Sequence, residues 1–208
     1  FRLVVESHEV DGYSAKLGAE QVLNLGLSNA GGVAPARNFI KRKASSEGAE
    51  WHWQMDDDIS SLVQCKDRKI LSRDPLTVLQ LAEEMASRWS NVAMIGISSD
   101  AFGRLAVRPF SVNTFAYTCV LIRTDIPIWW REHVENDLDF NLQVLHSGMC
   151  TIRTYEYLFH WAKTGVRPGG YTEIYANGQR LERQQRTLDI WPHLGMRIDN
   201  KGASGNRI

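Results

Sequence analysis

The stretch Trp51-His52-Trp53-Gln54-Met55-Asp56-Asp57-Asp58-Ile59 decides the fold. Its first five residues are rich in aromatic and apolar side chains, which is typical of a β-strand. Three carboxylates follow at once, and three adjacent negative charges repel one another unless water or a cation neutralises them. The stretch therefore predicts a strand that ends in a site for a divalent cation. A solvated acidic loop is the alternative interpretation.

On both sides of this stretch, strand-like and helical segments alternate. The predicted strands are 1–5, 23–27, 51–55, 92–97, 115–123 and 149–157. The first predicted helix begins at 33–35 and ends near 45–48. Two further predicted helices cover 75–89 and 135–147. Such alternation predicts an α/β protein with an at least partly parallel sheet, in which ligands bind at the carboxyl ends of the strands.

Composition excludes several classes of protein. The 208 residues suffice for one domain, and with 43% hydrophobic and 23% charged residues the chain is neither disordered, nor a collagen-like repeat, nor a disulfide scaffold. The 24 Lys and Arg residues together are balanced by 24 Asp and Glu residues, so the net charge is zero. Any contact with nucleic acid therefore requires a local basic patch. Cys65, Cys119 and Cys150 lack the spacing of a disulfide framework or a zinc site, which predicts free thiols.

The chain shows no apolar stretch long enough to span a membrane and no leader. We therefore expect a soluble, cytoplasmic protein. Because Phe1 already lies in a predicted strand and no Met precedes it, we also expect that an N-terminal piece is absent. The sequence does not indicate an oligomeric state.

The metal site is predicted around the carboxylates. At an extended strand end Asp56 and Asp58 project to one side and Asp57 to the other, so one carboxylate can hold a metal while another holds a hydroxyl. His160, which we expect just past the strand 149–157, is the candidate for a third ligand. A packed, hydrogen-bonded histidine is the alternative for His160.

Arg37 and Asn38 follow a Gly-Gly loop at the start of a predicted helix. A helix N-terminus beside a glycine loop suits an anionic ligand, and arginine suits phosphate. An ordinary surface arginine is the alternative for Arg37.

Glu135, Asp137 and Asp139 cluster at the start of the helix 135–147. Acidic residues there offset the helix dipole, which explains at least one of them. Three in five positions exceed what capping requires, so one of them is a candidate general base.

Taken in chain order, these segments resemble glycosyltransferases of the GT-A fold, and within it the TET/JBP-associated glycosyltransferases, which include the base J glucosyltransferase. The resemblance rests on residues 36–40, 53–59, 112–114, 137–143, and Thr164 followed by Gly169-Gly170. It implies a Rossmann-like α/β fold with a mixed, mainly parallel central sheet flanked by helices. Residues 1–162 would form the nucleotide-sugar-binding core, without its first strand, and residues 163–208 a basic acceptor-side or lid region of the same domain.

The resemblance also implies roles for the candidate residues. Asp56–Asp58 resembles the DxD motif, which holds Mn²⁺ or Mg²⁺ and the diphosphate of a nucleotide sugar. The implied metal ligands are Asp58, Asp56 and His160. The implied donor-binding residues are Arg37, Asn38, Asp56 and Asp57. Asp137 is the expected base of an inverting reaction, with Glu135 and Asp139 as alternatives.

The expected activity is transfer of a hexose, from a donor expected to be a UDP-sugar, to 5-hydroxymethylcytosine or another 5-hydroxymethylpyrimidine in DNA, as in a phage-encoded enzyme. Residues 163–208 carry eight basic and four acidic side chains, and Arg180, Arg183 and Arg186 are the expected DNA contacts. A solvated face is the alternative for this region. The alternative functions are a non-catalytic DNA-binding or interaction domain, and a GT-A transferase with a polysaccharide or lipid acceptor.

Overall fold

A computed structural model describes residues 1–26, 32–161 and 179–198. Nine strands lie in these ranges: β1 (Leu3–Val5), β2 (Val22–Asn24), β3 (Trp51–Met55), β4 (Ile59–Lys66), β5 (Lys69–Ser72), β6 (Val92–Ser99), β7 (Phe110–Val112), β8 (Cys119–Arg123) and β9 (Cys150–Trp161). The α-helices of the described ranges are α1 (Val10–Leu17), α2 (Ala34–Ser46), α3 (Pro75–Ala86), α4 (Asp100–Gly103), α5 (Asn136–His146) and α6 (Gln179–Ile190).

The chain divides into two compact units. The first comprises Phe1–Arg42, Trp129–Asp139 and Pro168–Ile208, and the second comprises Lys43–Ile128 and Phe140–Arg167. The boundary predicted between residues 162 and 163, which divides the core from the C-terminal region of the same domain, lies outside the described residues and stays a prediction.

The first unit holds a two-stranded parallel sheet. Strands β1 and β2 pair with Leu3 opposite Val22 and Val5 opposite Asn24. The sequence predicted strands in both places, although the last residue of the second predicted strand, at position 27, lies outside the described residues. Helices α1 and α6 were not predicted, because neither shows a continuous apolar stripe.

The second unit contains a seven-stranded mixed sheet in the order β3-β8-β6-β9-β4-β5, with β7 paired to β9. Within this sheet β6 and β9 run parallel, whereas the other described pairings are antiparallel. The prediction of an α/β fold with a mixed sheet and flanking helices is confirmed. Its mainly parallel character is not confirmed, because five of the six described pairings in this sheet are antiparallel.

The core of the second unit surrounds β6. All eight residues of β6 are buried, which agrees with the continuous apolar run predicted at 92–97. Helix α3 packs against the sheet through Met85 and Ala86. Asp74 caps α3 by accepting hydrogen bonds from the backbone N–H groups of Leu76 (3.3 Å) and Thr77 (3.1 Å).

The hairpin β4–β5 was not predicted from the sequence. Its strands pair with Lys66 opposite Lys69, and the two residues between them, Asp67 and Arg68, both have positive φ (50° and 64°). Two-residue hairpin turns of this kind favour Asn-Gly or Asp-Gly, and the Asp-Arg pair lacks the glycine that signals them. The turn is therefore formed by the pairing of the strands rather than by a turn-specific sequence.

The prediction that His160 lies just past a strand is wrong. Strand β9 runs from Cys150 to Trp161 and includes His160, which pairs with Ser61 on β4. The predicted end at Tyr157 was too early because the end of β9 is stabilised by β4, a strand that the sequence pattern did not reveal.

Candidate active site

The three consecutive carboxylates form the turn between β3 and β4 in the second unit. The backbone N–H of Asp56 donates a hydrogen bond to the carbonyl oxygen of Thr118 at 2.9 Å. On the other side of the turn, Ile59 pairs with Trp161 of β9, the neighbour of His160. The pairing of β4 with β9 therefore brings the Asp58 end of the turn to the end of β9 that carries His160.

Two polar side chains surround the imidazole of His160. The Ser61 hydroxyl lies 2.7 Å from Nδ1, and a carboxylate oxygen of Asp100 lies 3.4 Å from Nε2. Asp100, the first residue of α4, also forms an ion pair with Arg104, which directly follows that helix. The sequence analysis missed Ser61 and Asp100. The available signal for Asp100 was its position three residues after the predicted strand 92–97.

The metal-ligand assignment of Asp56, Asp58 and His160 stays a prediction. Within residues 1–26, 32–161 and 179–198, no group of three or more His, Cys, Asp or Glu side chains is arranged to hold a metal ion. Mg²⁺ in nucleotide sites usually needs fewer protein ligands than this, because one or two carboxylates bind it together with phosphate oxygens of the substrate. The chemistry of these donors, carboxylate oxygens and one imidazole, fits Mn²⁺ or Mg²⁺.

In the first unit, Arg37 is buried rather than exposed. Its side chain is only 6% exposed, and its guanidinium forms an ion pair with Asp137. The same guanidinium lies over the ring of Trp130, 4.3 Å from the ring centroid. The alternative of an ordinary surface arginine is therefore wrong, whereas the predicted contact of Arg37 with the donor stays a prediction.

Asn38 stabilises the segment that contains the two adjacent tryptophans. Its side-chain amide donates to the carbonyl oxygen of Trp130 at 2.9 Å and accepts from the N–H of Trp130 at 3.0 Å. One turn further along α2, the buried ammonium of Lys41 lies 4.6 Å from the ring centroid of Trp129. One face of α2 therefore holds this segment, and the sequence analysis did not anticipate a role for Lys41.

Asp139 cannot be a catalytic base. The residue is fully buried, and one of its carboxylate oxygens accepts hydrogen bonds from the indole of Trp191 (2.9 Å) and from Arg131 (3.0 Å). A base must reach the substrate, and this carboxylate is occupied by structural partners instead. Asp139 is therefore corrected to a structural residue.

Glu135 has different surroundings. Burial raises the pKa of its carboxyl group, an effect that the positive charges of Arg180 and Arg183 oppose and the negative charge of Asp137 reinforces. Asp137 is instead engaged by Arg37. A carboxylate with a raised pKa is the better proton acceptor at neutral pH, because the most effective general base has a pKa near the working pH.

The arginines of α6 do not form the exposed DNA-binding row that was expected. Arg183 is only 3% exposed and donates to the carbonyl oxygen of Val134 at 3.4 Å, so its assignment as a surface phosphate contact is wrong. Arg180 is partly buried and acts electrostatically on Glu135. Arg186 is exposed, and it pairs with Glu182 at 2.6 Å. DNA contact by Arg180 and Arg186 stays a prediction.

The TET-Associated Glycosyltransferase family matches residues 1–170 of the chain. The chain belongs to this family. The suspected membership of the TET/JBP-associated glycosyltransferases is thereby confirmed, and the protein is an enzyme of the glycosyltransferase class. The match includes the Asp56–Asp58 turn, His160 and the acidic start of α5, and it ends before α6. No curated protein matches the chain.

The family supports a role of this TET-associated glycosyltransferase in TET-associated DNA modification. In the described ranges, no helix is both long and apolar enough to cross a membrane. Because this is a glycosyltransferase family, the alternative of a non-catalytic DNA-binding or interaction domain is wrong.

Proposed function

We propose that this TET-associated glycosyltransferase transfers a sugar from a nucleotide sugar, taken to be a UDP-sugar, to the hydroxyl group of a 5-hydroxymethylpyrimidine in DNA, with a divalent cation and with inversion at the sugar carbon. The single observation that carries the proposal is the family match over residues 1–170, which includes the Asp56–Asp58 turn and His160. The contacts of the two units support particular roles.

In the second unit, Asp58 and His160 would hold the cation, with Asp56 beside them. The 2.7 Å contact between Ser61 and His160 Nδ1 supports this role, because a hydrogen bond to one ring nitrogen fixes the ring and leaves the other nitrogen as the ligand. That nitrogen, Nε2, lies 3.4 Å from Asp100, so the Asp100 carboxylate would either share the cation or compete with it for Nε2. When bound, Mn²⁺ or Mg²⁺ supplies positive charge that stabilises the nucleoside diphosphate as it leaves.

In the first unit, we propose Glu135 as the general base in place of Asp137. Its carboxylate takes the proton of the acceptor hydroxyl, the acceptor oxygen forms a bond to the anomeric carbon of the sugar, and the bond from that carbon to the diphosphate oxygen breaks. The electron pair of the broken bond leaves with the nucleoside diphosphate. Asp137 positions Arg37, with which it is ion-paired.

The proposal is tested by incubating the protein with Mn²⁺, a panel of nucleotide sugars and DNA that contains 5-hydroxymethylcytosine or 5-hydroxymethyluracil, followed by mass spectrometry of the nucleosides. We expect a nucleoside heavier by one hexose, and we expect EDTA to abolish it. Asp58→Asn and His160→Ala should lose most of the activity in the presence of Mn²⁺, whereas Asp67→Asn, at the exposed β4–β5 turn, should not.

Transfer to a polysaccharide or lipid but not to DNA would contradict the acceptor. Full activity in EDTA would contradict the metal. A product with retained anomeric configuration would contradict inversion.

A further inference from the structure

Four aromatic rings form a continuous cluster in the second unit, which we name the aromatic cluster: Phe115, Tyr117, Phe159 and Trp161. Phe115 stacks on Tyr117 with a centroid distance of 5.0 Å and an interplanar angle of 19°. Tyr117 stacks in turn on Trp161 at 6.4 Å and 30°. Phe159 meets Trp161 edge-on at 5.0 Å. The rings therefore form one connected array.

The two outer rings of the aromatic cluster remain accessible to solvent. Phe115 is 39% exposed and Trp161 is 40% exposed, whereas Phe159 is fully buried. The buried ring fixes the cluster in the core beside Leu62, Ile97 and Cys119. Each exposed outer ring of this anchored array therefore offers a face on which a planar ligand can stack.

The aromatic cluster flanks the carboxylate turn on both sides. Asp56 is hydrogen-bonded to Thr118, which directly follows Tyr117, and Ile59, which directly follows Asp58, pairs with Trp161. The cluster therefore lies next to the place proposed for the donor diphosphate.

The segment that carries Phe115 and Tyr117 is held firmly. The side-chain amide of Asn141 donates to the carbonyl oxygen of Ala116 at 2.8 Å and accepts from its N–H at 3.0 Å. Arg153 donates to the carbonyl oxygen of Phe115 at 3.2 Å. These bonds preorganise the rings, and Arg153 adds a positive charge beside them that complements a DNA phosphate.

We propose that Trp161 and Phe115 form a stacking platform for the pyrimidine ring of the acceptor DNA; this inference rests on the proposed function. The hydroxymethyl oxygen that attacks the sugar is one carbon away from the acceptor ring, so that ring must lie close to the bond between sugar and diphosphate. The uracil of a UDP-sugar is separated from the diphosphate by the whole ribose. A ring-stacking surface beside the diphosphate site therefore suits the acceptor base, taken out of its stack as enzymes that modify bases require.

The test measures binding of a single-stranded oligonucleotide with one 5-hydroxymethyluracil against the same oligonucleotide with an abasic site. Wild-type protein should prefer the base, and Trp161→Ala should weaken its binding about 5- to 150-fold, the range for one stacked base. Phe115→Ala should act in the same direction, and Trp161→Phe should restore most of the affinity. Trp89→Ala serves as the matched control, because Trp89 is 37% exposed in the same unit and lies outside the aromatic cluster.

Affinity for UDP in the presence of Mn²⁺, measured on the same variants, shows whether the ring that stacks on the cluster is the acceptor base or the uracil of the donor. Unchanged UDP affinity with weaker oligonucleotide binding supports the proposal. Loss of UDP affinity with unchanged oligonucleotide binding would assign the cluster to the donor and overturn it, as would equal binding of base and abasic strands by the wild type.

Both oligonucleotide comparisons need neither donor nor turnover. They therefore remain decisive even if no sugar is transferred, so that failure of the platform and failure of the proposed function give different results. Circular dichroism of Trp161→Ala and Phe115→Ala shows whether a loss of binding reflects unfolding.

Discussion

At the scale of single residues, three carboxylates of similar sequence position have three different environments. Glu135 is partly buried near two arginines, Asp137 is ion-paired with Arg37, and Asp139 is fully buried under Trp191. Burial and fixed charge, rather than residue type, therefore separate a candidate base from positioning and structural residues.

Glu135→Gln removes basicity while it preserves size, so we expect kcat to fall by about 10² to 10⁴ with donor and metal affinity unchanged. Asp137→Asn should instead lower the free energy of unfolding, because Arg37 loses its charged partner. Single-turnover kinetics and urea titrations measure the two effects. Near-normal turnover of Glu135→Gln, together with a large kcat loss in a folded Asp137→Asn, would return the role of base to Asp137.

The raised pKa of Glu135 also predicts a pH dependence of stability. The folded state binds this proton more tightly than the unfolded state, whose Glu pKa is about 4.3. The stabilisation from the protonated group is therefore complete below that value and is lost as the pH rises through the folded-state pKa. Glu135→Gln should gain stability relative to wild type between pH 4 and pH 7 in urea unfolding. A constant difference would contradict the raised pKa.

At the scale of elements, a glycine allows β6 to approach the segment before β8. A Cβ built on Gly96 would lie 2.4 Å from Cβ of Ala116 and 3.2 Å from its Cα. The bonds from Asn141 prevent Ala116 from moving away. The element contact that positions Phe115 and Tyr117 therefore depends on the absence of one methyl group.

Gly96→Ala should consequently destabilise the protein by about 1–3 kcal/mol, the usual effect of overpacking a core. Gly12→Ala is the matched control. Gly12 lies inside α1, and its Cβ would meet no atom within 4 Å, so alanine there should stabilise by about 0.4–1 kcal/mol. Denaturant midpoints of the two variants measure the contrast. Equal effects would show that the close approach of Gly96 to Ala116 does not matter.

At the scale of the whole molecule, the balanced 24 basic and 24 acidic residues provide no general attraction to DNA. Binding of DNA must therefore arise from a local group of basic side chains. Arg183, one of the expected contacts, is buried and cannot belong to such a group. The exposed Arg186 remains a candidate of α6, although its pairing with Glu182 reduces its effective charge.

If Arg186 contacts a phosphate, Arg186→Ala should reduce the slope of log affinity against log salt by about 1, because one fewer counterion is released. Arg73→Ala, at an exposed position between β5 and α3, should leave the slope unchanged. Fluorescence anisotropy at several salt concentrations with the same single-stranded oligonucleotide measures both. Equal slopes for wild type and Arg186→Ala would remove α6 from the DNA-binding surface.

The sequence by itself determined the elements whose signal is local. Strand β3 and helices α2 and α3 lie where the aromatic run at 51–55 and the spacing of apolar residues predicted them, because these signals act within a few residues. Family membership was also readable, because the order of motifs along the chain carries it.

Only the tertiary structure decided what depends on distant partners. The extension of β9 to Trp161 arises from its pairing with β4, which is far away in sequence. The hairpin β4–β5 and the other antiparallel pairings likewise depend on contacts between strands that the local sequence pattern does not indicate. The roles of Glu135, Asp137, Asp139 and Arg183 were likewise undetermined. A charged side chain acquires its chemistry from its burial and from the opposite charge beside it, and both come from residues that the local pattern cannot identify.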